Sequence, residues 1–359
     1  MSWSRELGIL VACTAACSTP TSVVAPSSEP GPISVPTTEA DHDALPLALP
    51  GFLAEGLAWD AERNRLLVGG IVGQQIVAVS VPSGNADPFA RPPRPWSVFG
   101  LKLDDRHGVV WAACSAVPQG QSLPSPVGPA ALVAFSLHDG TVVAEHALED
   151  DHEHLFGDLA VGRDGTIFVT DTLGGGIYAA SWGVPGLREV VPPETFRSVQ
   201  GIVVVDASTL IVADYPTGLV RIELDEHHAS QELEVLKTPT NVDLRGIDGL
   251  VRRGQSLAGI QNGAQPPRVI RLELSADARS IESGNVLIVP DPQAGEPTLA
   301  TFVNDSLWVM QTDLWDRVFD GDGRPREDVE VVAPTVVRIP WEPSQPQAAP
   351  QTRRPSPPS

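Results

Sequence analysis

Short apolar runs alternate with polar corners along most of the chain, and helical periodicity is nearly absent. In "GDLAVGRDGTIFVTD", from Gly157, a Leu/Ala/Val run meets a corner of Arg, Asp and Gly, and a second run of Ile, Phe and Val ends on an aspartate. The pattern recurs in "EGLAWDAERNRLLVGG" from Glu55, "FGLKLDDRHGVVWAACS" from Phe99 and "QGIVVVDASTLIVAD" from Gln200. It recurs again in "DGLVRRGQSLAGIQN" from Asp248 and "PTLATFVNDSLWVMQTD" from Pro297. These copies lie about 49 residues apart, the length of a four-stranded propeller blade. Further strands follow in step, among them "ALVAFSL", "GLVRIEL" and "PTVVRIP". The pattern predicts an all-β fold, a six-bladed β-propeller with four-stranded blades around a central channel.

This architecture gives the recurrent acidic residues a place. In an antiparallel hairpin the start of the first strand and the end of the second lie at the same end. Residues there should converge on one mouth of the channel: Glu55, Asp158, Asp171, Gln200, Asp214, Asp248, Asn262 and Asp313. A rim of oxygen donors suits a hard divalent cation, Ca²⁺ foremost. Taken one at a time, such residues also serve simply to satisfy turn amides.

Composition narrows the partners. The chain has 359 residues, is 42% hydrophobic and carries a formal net charge of −21. So acidic a surface repels phosphate backbones and anionic headgroups, which excludes nucleic acid and leaves membrane association to a lipid anchor. Of three cysteines, Cys13 and Cys17 stand near the start, and Cys114 sits in the apolar run "VWAACSA", where a thiol is an inert small hydrophobe.

The ends differ from the middle. Residues 1–17 combine Arg5, an apolar stretch and "TAAC", a pattern that resembles a bacterial lipoprotein leader with Cys17 as the lipidated residue, Cys13 in "LVAC" being the rival. Residues 18–45 are dense in Pro, Ser and Thr and read as a tether, residues 46–341 as the propeller, and residues 342–359 as a Pro-rich tail. Within this layout "DALPLALPG" is the apolar segment available to complete the last blade. The expected address is outside the cytoplasm: periplasm or outer envelope as a lipoprotein, or secreted.

At these motifs the chain resembles the senescence-marker-protein/gluconolactonase superfamily of six-bladed propellers, related to paraoxonase-like and strictosidine-synthase-like proteins. "AEGLAWD" is similar to the family's "EGP-x-W" opening, "GDLAVGRDGTIFVTD" to its "NDLAVDPDGTLYVTD", and "GIDGLV" to its "PDG" segment. The resemblance implies one divalent cation at the channel mouth, held by a glutamate, one or two asparagines and an aspartate. Carried over, these are Glu55 and Asp248, whereas the asparagine positions fall on Gly157 and Gln200. It also implies a small-molecule substrate of the lactone class.

Two functions follow as expectations. One is an exported lactonase-like hydrolase, with Glu55, Asp158, Gln200, Asp248 and Asn262 around the cation and Asp214 and Asp313 on the rim toward substrate. His154, in "DDHEHLFGD", or Asp171 would then be the base. The other is a non-catalytic propeller that binds a ligand or an envelope protein, for which a rim plugged by a basic side chain such as Arg245 would speak.

Overall fold

A computed structural model describes residues 43–341 except 121–127, 149, 241, 291–294 and 322. The expected leader, the lipidation site at Cys17 with its rival Cys13, most of the tether and the Pro-rich tail lie outside the described residues. Among the described residues no helix is long and apolar enough to cross a membrane.

The strands form six four-stranded antiparallel sheets. After β1 (Ala44–Pro46), the first blade comprises β2 (Leu53–Asp60), β3 (Arg65–Val72), β4 (Ile76–Ser80) and β5 (Ala86–Ala90). The second comprises β6 (Ser97–Asp104), β7 (Val109–Ser115), β8 (Ala130–Ser136) and β9 (Val142–Leu148). The third holds β10 (Phe156–Val161), β11 (Thr166–Asp171), β12 (Gly176–Ser181) and β13 (Val184–Val191). The fourth holds β14 (Val199–Asp206), β15 (Thr209–Asp214), β16 (Gly218–Leu224) and β17 (Ser230–Val235). The fifth holds β18 (Gly249–Arg253), β19 (Ser256–Gln261), β20 (Arg268–Leu274) and β21 (Ile281–Ile288). The sixth has β22 (Glu296–Val303), β23 (Ser306–Thr312) and β24 (Thr335–Pro340), with a one-turn helix α1 (Trp315–Val318) between the last two.

The sixth blade is completed from the other end of the chain. β1 pairs antiparallel with β24, Ala44 opposite Val337 and Pro46 opposite Thr335, so the ring closes within a sheet. β1 straddles the boundary expected at residue 46, and beyond it Leu47 and Leu49 are buried in one cluster with Trp308 and Met310. "DALPLALPG" is thus the closing segment.

The burial gradient explains why the inner strands read as unbroken apolar runs. β7 and β15, packed on both faces, are buried throughout, whereas the outer strands β13 and β17 are mostly exposed. Between blades, Trp111, Leu132, Phe156 and Leu159 pack with Leu53 and Ile71 into one continuous core.

Five of the six inner strands carry the same irregularity. Their register to the second strand slips by one residue between Ala54 and Leu57, Val98 and Leu101, Phe156 and Leu159, Val199 and Ile202, and Pro297 and Ala300. A bulge bends the strand and re-aims its side chains. Glycines beside these bulges let neighbouring inner strands touch. A Cβ on Gly56 would lie 2.1 Å from the Phe99 carbonyl oxygen, and one on Gly201 would lie 2.6 Å from the Leu250 nitrogen.

Candidate active site

The entrances of the inner strands, bulged in every blade but the fifth, deliver one residue from each blade to a common cavity: Glu55, Phe99, Gly157, Gln200, Asp248 and Thr298. Asp158, Asn262, Glu296, Leu155, Leu299 and Trp315 complete its walls. The bare cavity measures about 30 Å³, the share of one water in the liquid. It is therefore a site for a water or an ion, with Phe99, Leu155 and Trp315 as the apolar surface available to a larger molecule.

Four carboxyls meet here with little to neutralise them. Glu55, Asp158 and Asp248 are all buried, and Oε2 of Glu55 and Oδ2 of Asp158 have no hydrogen-bond partner. Burial, then the charges of Asp248, Glu296 and Asp158, pushes the Glu55 carboxyl well above its ordinary range. Burial and the charges of Glu296 and Asp158 lift Asp248 to about 8, against the opposing hydrogen bond from Asn262. Glu296 rises to about 7, chiefly through burial, although Oε1 accepts the Trp315 amide at 3.2 Å.

The one ammonium of the site comes from an inner strand. Lys102 Nζ lies 3.0 Å from Asp158 Oδ1, which also accepts the Leu159 amide at 2.8 Å. This pins one oxygen of Asp158 and leaves the other unpartnered.

The amides are held by neighbours. Gln200 Nε2 donates to Ser198 Oγ at 2.9 Å, and its Oε1 accepts from Thr172 Oγ1 at 3.3 Å. Asn262 Nδ2 donates to Asp248 Oδ2 at 2.8 Å, and its Oδ1 accepts from the Tyr215 hydroxyl at 3.0 Å.

Of the expected site residues, Glu55, Asp158, Gln200, Asp248 and Asn262 come together, whereas His154, Asp171, Asp214 and Asp313 do not line the cavity. The reason is positional. The first strand of each blade borders the channel. Asn262, after the fifth blade's second strand, is the exception that reaches the cavity, through its hydrogen bond to Asp248. The ends of the other second strands stand one strand further out. There the aspartates latch the hairpin. Asp171 accepts the amides of Leu155 and Gly174, each at 3.0 Å, and Asp214 accepts those of Ser198 at 3.0 Å and Arg197 at 3.2 Å. Asp313 accepts Val332 N–H at 2.8 Å and pairs with Arg317.

His154 is buried with both ring nitrogens facing carboxylates, Nδ1 at 2.6 Å from Asp171 and Nε2 at 2.9 Å from Asp150. Burial works against its charge, but the hydrogen bonds to Asp171 and Asp150 outweigh it, so the pKa rises. Arg245 is exposed and paired with Asp243 at 2.7 Å, so it plugs nothing. Cys114 is buried and free, its thiol pushed up by burial.

Sequence reasoning missed Glu296 and Lys102. In "GEPTLA" the glutamate stands one residue further from the Leu-Ala pair than in "AEGLA", and the intervening Pro297 was taken as the start of the repeat. Lys102 was legible as the one base within the apolar run "FGLKL".

The oxygen-only donor set and the two unpartnered carboxylate oxygens fit a hard cation in chemical type. Among the described residues, however, no group of three or more His, Cys, Asp or Glu side chains is gathered closely enough to hold a metal.

No protein-family model matches the sequence, and a search of curated proteins finds no match. Solved structures do match in fold. Regucalcin from Agrobacterium tumefaciens, described as a calcium-binding protein, aligns with a TM-score of 0.55 at 16% identity over 82% of this chain and 93% of its own. A gluconolactonase from Xanthomonas campestris aligns with a TM-score of 0.55 at 16% identity over 88% and 99%. Virginiamycin B lyase from Staphylococcus aureus aligns with a TM-score of 0.51 at 14% identity over 83% and 99%. The resemblance carried by the repeat motifs thus holds at the level of fold. A gluconolactonase and a lyase on one scaffold also mean that any chemistry must be argued from the site.

Proposed function

We propose that this protein is a lactonase-like hydrolase whose channel-mouth cavity takes a divalent cation, Ca²⁺ first among candidates. The observation that carries the reading is the charge imbalance: Glu55, Asp158, Asp248 and Glu296 face one small cavity against the single ammonium of Lys102. Buried carboxylates in such excess must take up protons or a cation. Glu55, Asp158 and Asp248 would have to draw together to hold the cation, since they are not gathered around a common point here, with the amide oxygens of Gln200 and Asn262 within the same walls. When bound, a divalent cation supplies Lewis-acid polarisation of an ester carbonyl.

The chain's own residues account for the rest. Phe99, Leu155 and Trp315 give an apolar seat above a cavity too small for the substrate itself. Glu296, anchored through Oε1, presents its second oxygen to a water. It takes that water's proton as the oxygen attacks the carbonyl carbon, and returns it to the ring oxygen as the ester C–O bond breaks. Glu296 replaces His154 and Asp171 as the base in this reading, because it lines the cavity and they do not. The gluconolactonase and regucalcin neighbours support the substrate and cation classes.

The test is metal analysis of the purified protein followed by turnover of aldono- and acyl-lactones with Ca²⁺, Mn²⁺ or Zn²⁺. Activity should require the cation and fall about 100-fold or more in Glu55→Gln and Asp248→Asn, the scale of losing a transition-state contact. Undiminished turnover in both variants would sink the assignment. The absence of a close three-carboxylate group favours a second reading, a non-catalytic propeller binding a small ligand at the same mouth. Ligand binding without turnover of any lactone would select it.

The address is part of the proposal. The leader-like residues 1–17 and the Pro/Ser/Thr-rich stretch after them support export with a lipid anchor on Cys17. Cys17→Ser should abolish acyl labelling while Cys13→Ser leaves it; the reverse would move the anchor to Cys13.

A further inference from the structure

Below the carboxylate cavity the channel opens into a second, larger chamber of about 340 Å³. Its walls are the next residues of the same inner strands: Leu103, Ala160 and Val161, Ile202 to Val204, Leu250 to Arg252, and Ala300 to Phe302. Lys102 lines this chamber while its Nζ meets Asp158 of the upper cavity at 3.0 Å, so the ion pair stands where the two spaces adjoin.

The chamber is opposite in charge to the rest of the molecule. Among the described residues that line it, two are cationic, Lys102 and Arg252, and none is acidic, in a chain with 45 acids and 24 bases. Arg252 is held in place from below. Its Nη1 donates to the carbonyls of Val204 at 3.3 Å and Val205 at 2.9 Å, and its Nη2 to Gln255 Oε1 at 3.3 Å. Its Nε is buried and without a hydrogen-bond partner. A buried donor left unmade is costly, and a guanidinium is built to meet an oxyanion.

Neighbouring charge adds to the demand. Burial, with Arg163 nearby, pulls the Arg252 guanidinium below its ordinary value, and Asp206 acts weakly the other way. Asp206 is itself occupied with the Ser208 amide at 2.9 Å. Arg106 reaches the Arg163 carbonyl, which brings a further guanidinium to this end of the hairpins.

We propose that this chamber is a binding site for a small organic carboxylate with an apolar body, its carboxylate against the Arg252 guanidinium beside Lys102 and its body on Ala160, Ile202, Leu250 and Phe302. At about 30 Å³ for each water in the liquid, 340 Å³ is the share of roughly eleven waters. That is the size of a medium-chain fatty acid or an aryl acid. The site does not depend on the cation or the hydrolase reading above.

Octanoate, octanol and octylammonium are the probes, titrated into the full chain by calorimetry. Octanoate should bind saturably, one per chain, and about tenfold or more tighter than octanol, the scale of one charge-assisted hydrogen bond, with octylammonium failing to bind. Arg252→Gln should weaken octanoate about tenfold, while Arg252→Lys, which keeps the charge, should recover part of the loss. Absence of saturable octanoate binding would overturn the proposal, as would equal affinity for octanol. Unaltered octanoate affinity in a folded Arg252→Gln would do the same. Should Arg252→Gln fail to fold, the three probes on the unaltered protein decide the question alone.

Discussion

Asn262 donates from Nδ2 to Oδ2 of Asp248 at 2.8 Å, and the Tyr215 hydroxyl fixes its orientation by donating to Oδ1 at 3.0 Å. The pair ties the end of the fifth blade's second strand to the residue that opens its first, and it opposes the burial that drives Asp248 toward protonation. Asn262→Leu should therefore raise the Asp248 pKa further and weaken cation binding by about tenfold, as expected for a lost hydrogen bond to a charged group. Tyr215→Phe, which removes only the orienting contact, should cost about a fivefold loss. Calorimetric Ca²⁺ titration of both variants measures the order; a larger effect from Tyr215→Phe would contradict it.

The raised carboxyls fix a pH dependence. Asp248 at about 8, Glu296 at about 7 and the elevated Glu55 all exceed the usual unfolded carboxyl value of about 4. Between those values the folded chain holds more protons than the unfolded one, so stability is full below about pH 4 at these groups and is lost as pH rises toward 8. Chelator-treated protein should melt several degrees lower at pH 8 than at pH 5.5. Saturating Ca²⁺ should close most of that gap, since a ligand at about 100 times its Kd adds about 2.7 kcal/mol. Melting curves at both pH values with and without Ca²⁺ check this; a higher melting temperature at pH 8 without cation would reverse the sign.

The ring of inner strands tolerates no added atom at Gly56. A Cβ there meets the Phe99 carbonyl oxygen at 2.1 Å, and backbone cannot swing aside as a side chain does. Gly56→Ala should destabilise by about 3 kcal/mol or more, at the upper end of overpacking. Gly321→Ala, with nothing within 4 Å of its added Cβ, should change stability by less than about 0.5 kcal/mol, as surface changes do. Chemical denaturation of the two variants gives the comparison.

Gly157 is crowded in a different way. Its Cβ would stand 2.8 Å from Thr172 Oγ1, a side-chain atom that also donates to the Val199 carbonyl at 2.9 Å. Gly157→Ala should cost about 1–3 kcal/mol, and the double change with Thr172→Ala should cost less than the two single changes together. Strict additivity would show that the hydroxyl is not what excludes a side chain here.

Closure of the ring is testable by truncation. Removing residues 1–42 leaves β1 in place and should not move the melting temperature, whereas removing 1–50 takes away β1, Leu47 and Leu49. Buried leucines lost from a core are worth about 2–5 kcal/mol each, so the longer truncation should melt far lower or fail to fold. Equal melting of the two would refute closure by this segment.

How much of this was legible in the sequence depends on which strand a residue occupies. The blades showed themselves because inner strands are buried on both faces and repeat at a fixed spacing. Glu55, Gln200 and Asp248 were visible because each precedes a glycine that lets the inner strands touch. Asp171 and Asp214 looked equivalent to them, being polar residues at the same end of the same hairpins. What separates the two sets is distance from the axis, which the period does not encode. Glu296 was hidden by a one-residue offset across Pro297, and the role of Lys102 by the bulge geometry that brings Asp158 within its reach.

The pairing of β1 with β24 sets an order of events. Among the described residues the first strand has the last as its partner, almost three hundred residues later. Blades one to five can each form from contiguous chain, but the seam waits until Thr335–Pro340 has been made, and so distant a contact is slow to find. Until then an unpaired edge persists on the sixth blade. Any premature stop upstream of Thr335 yields an open ring rather than a smaller one.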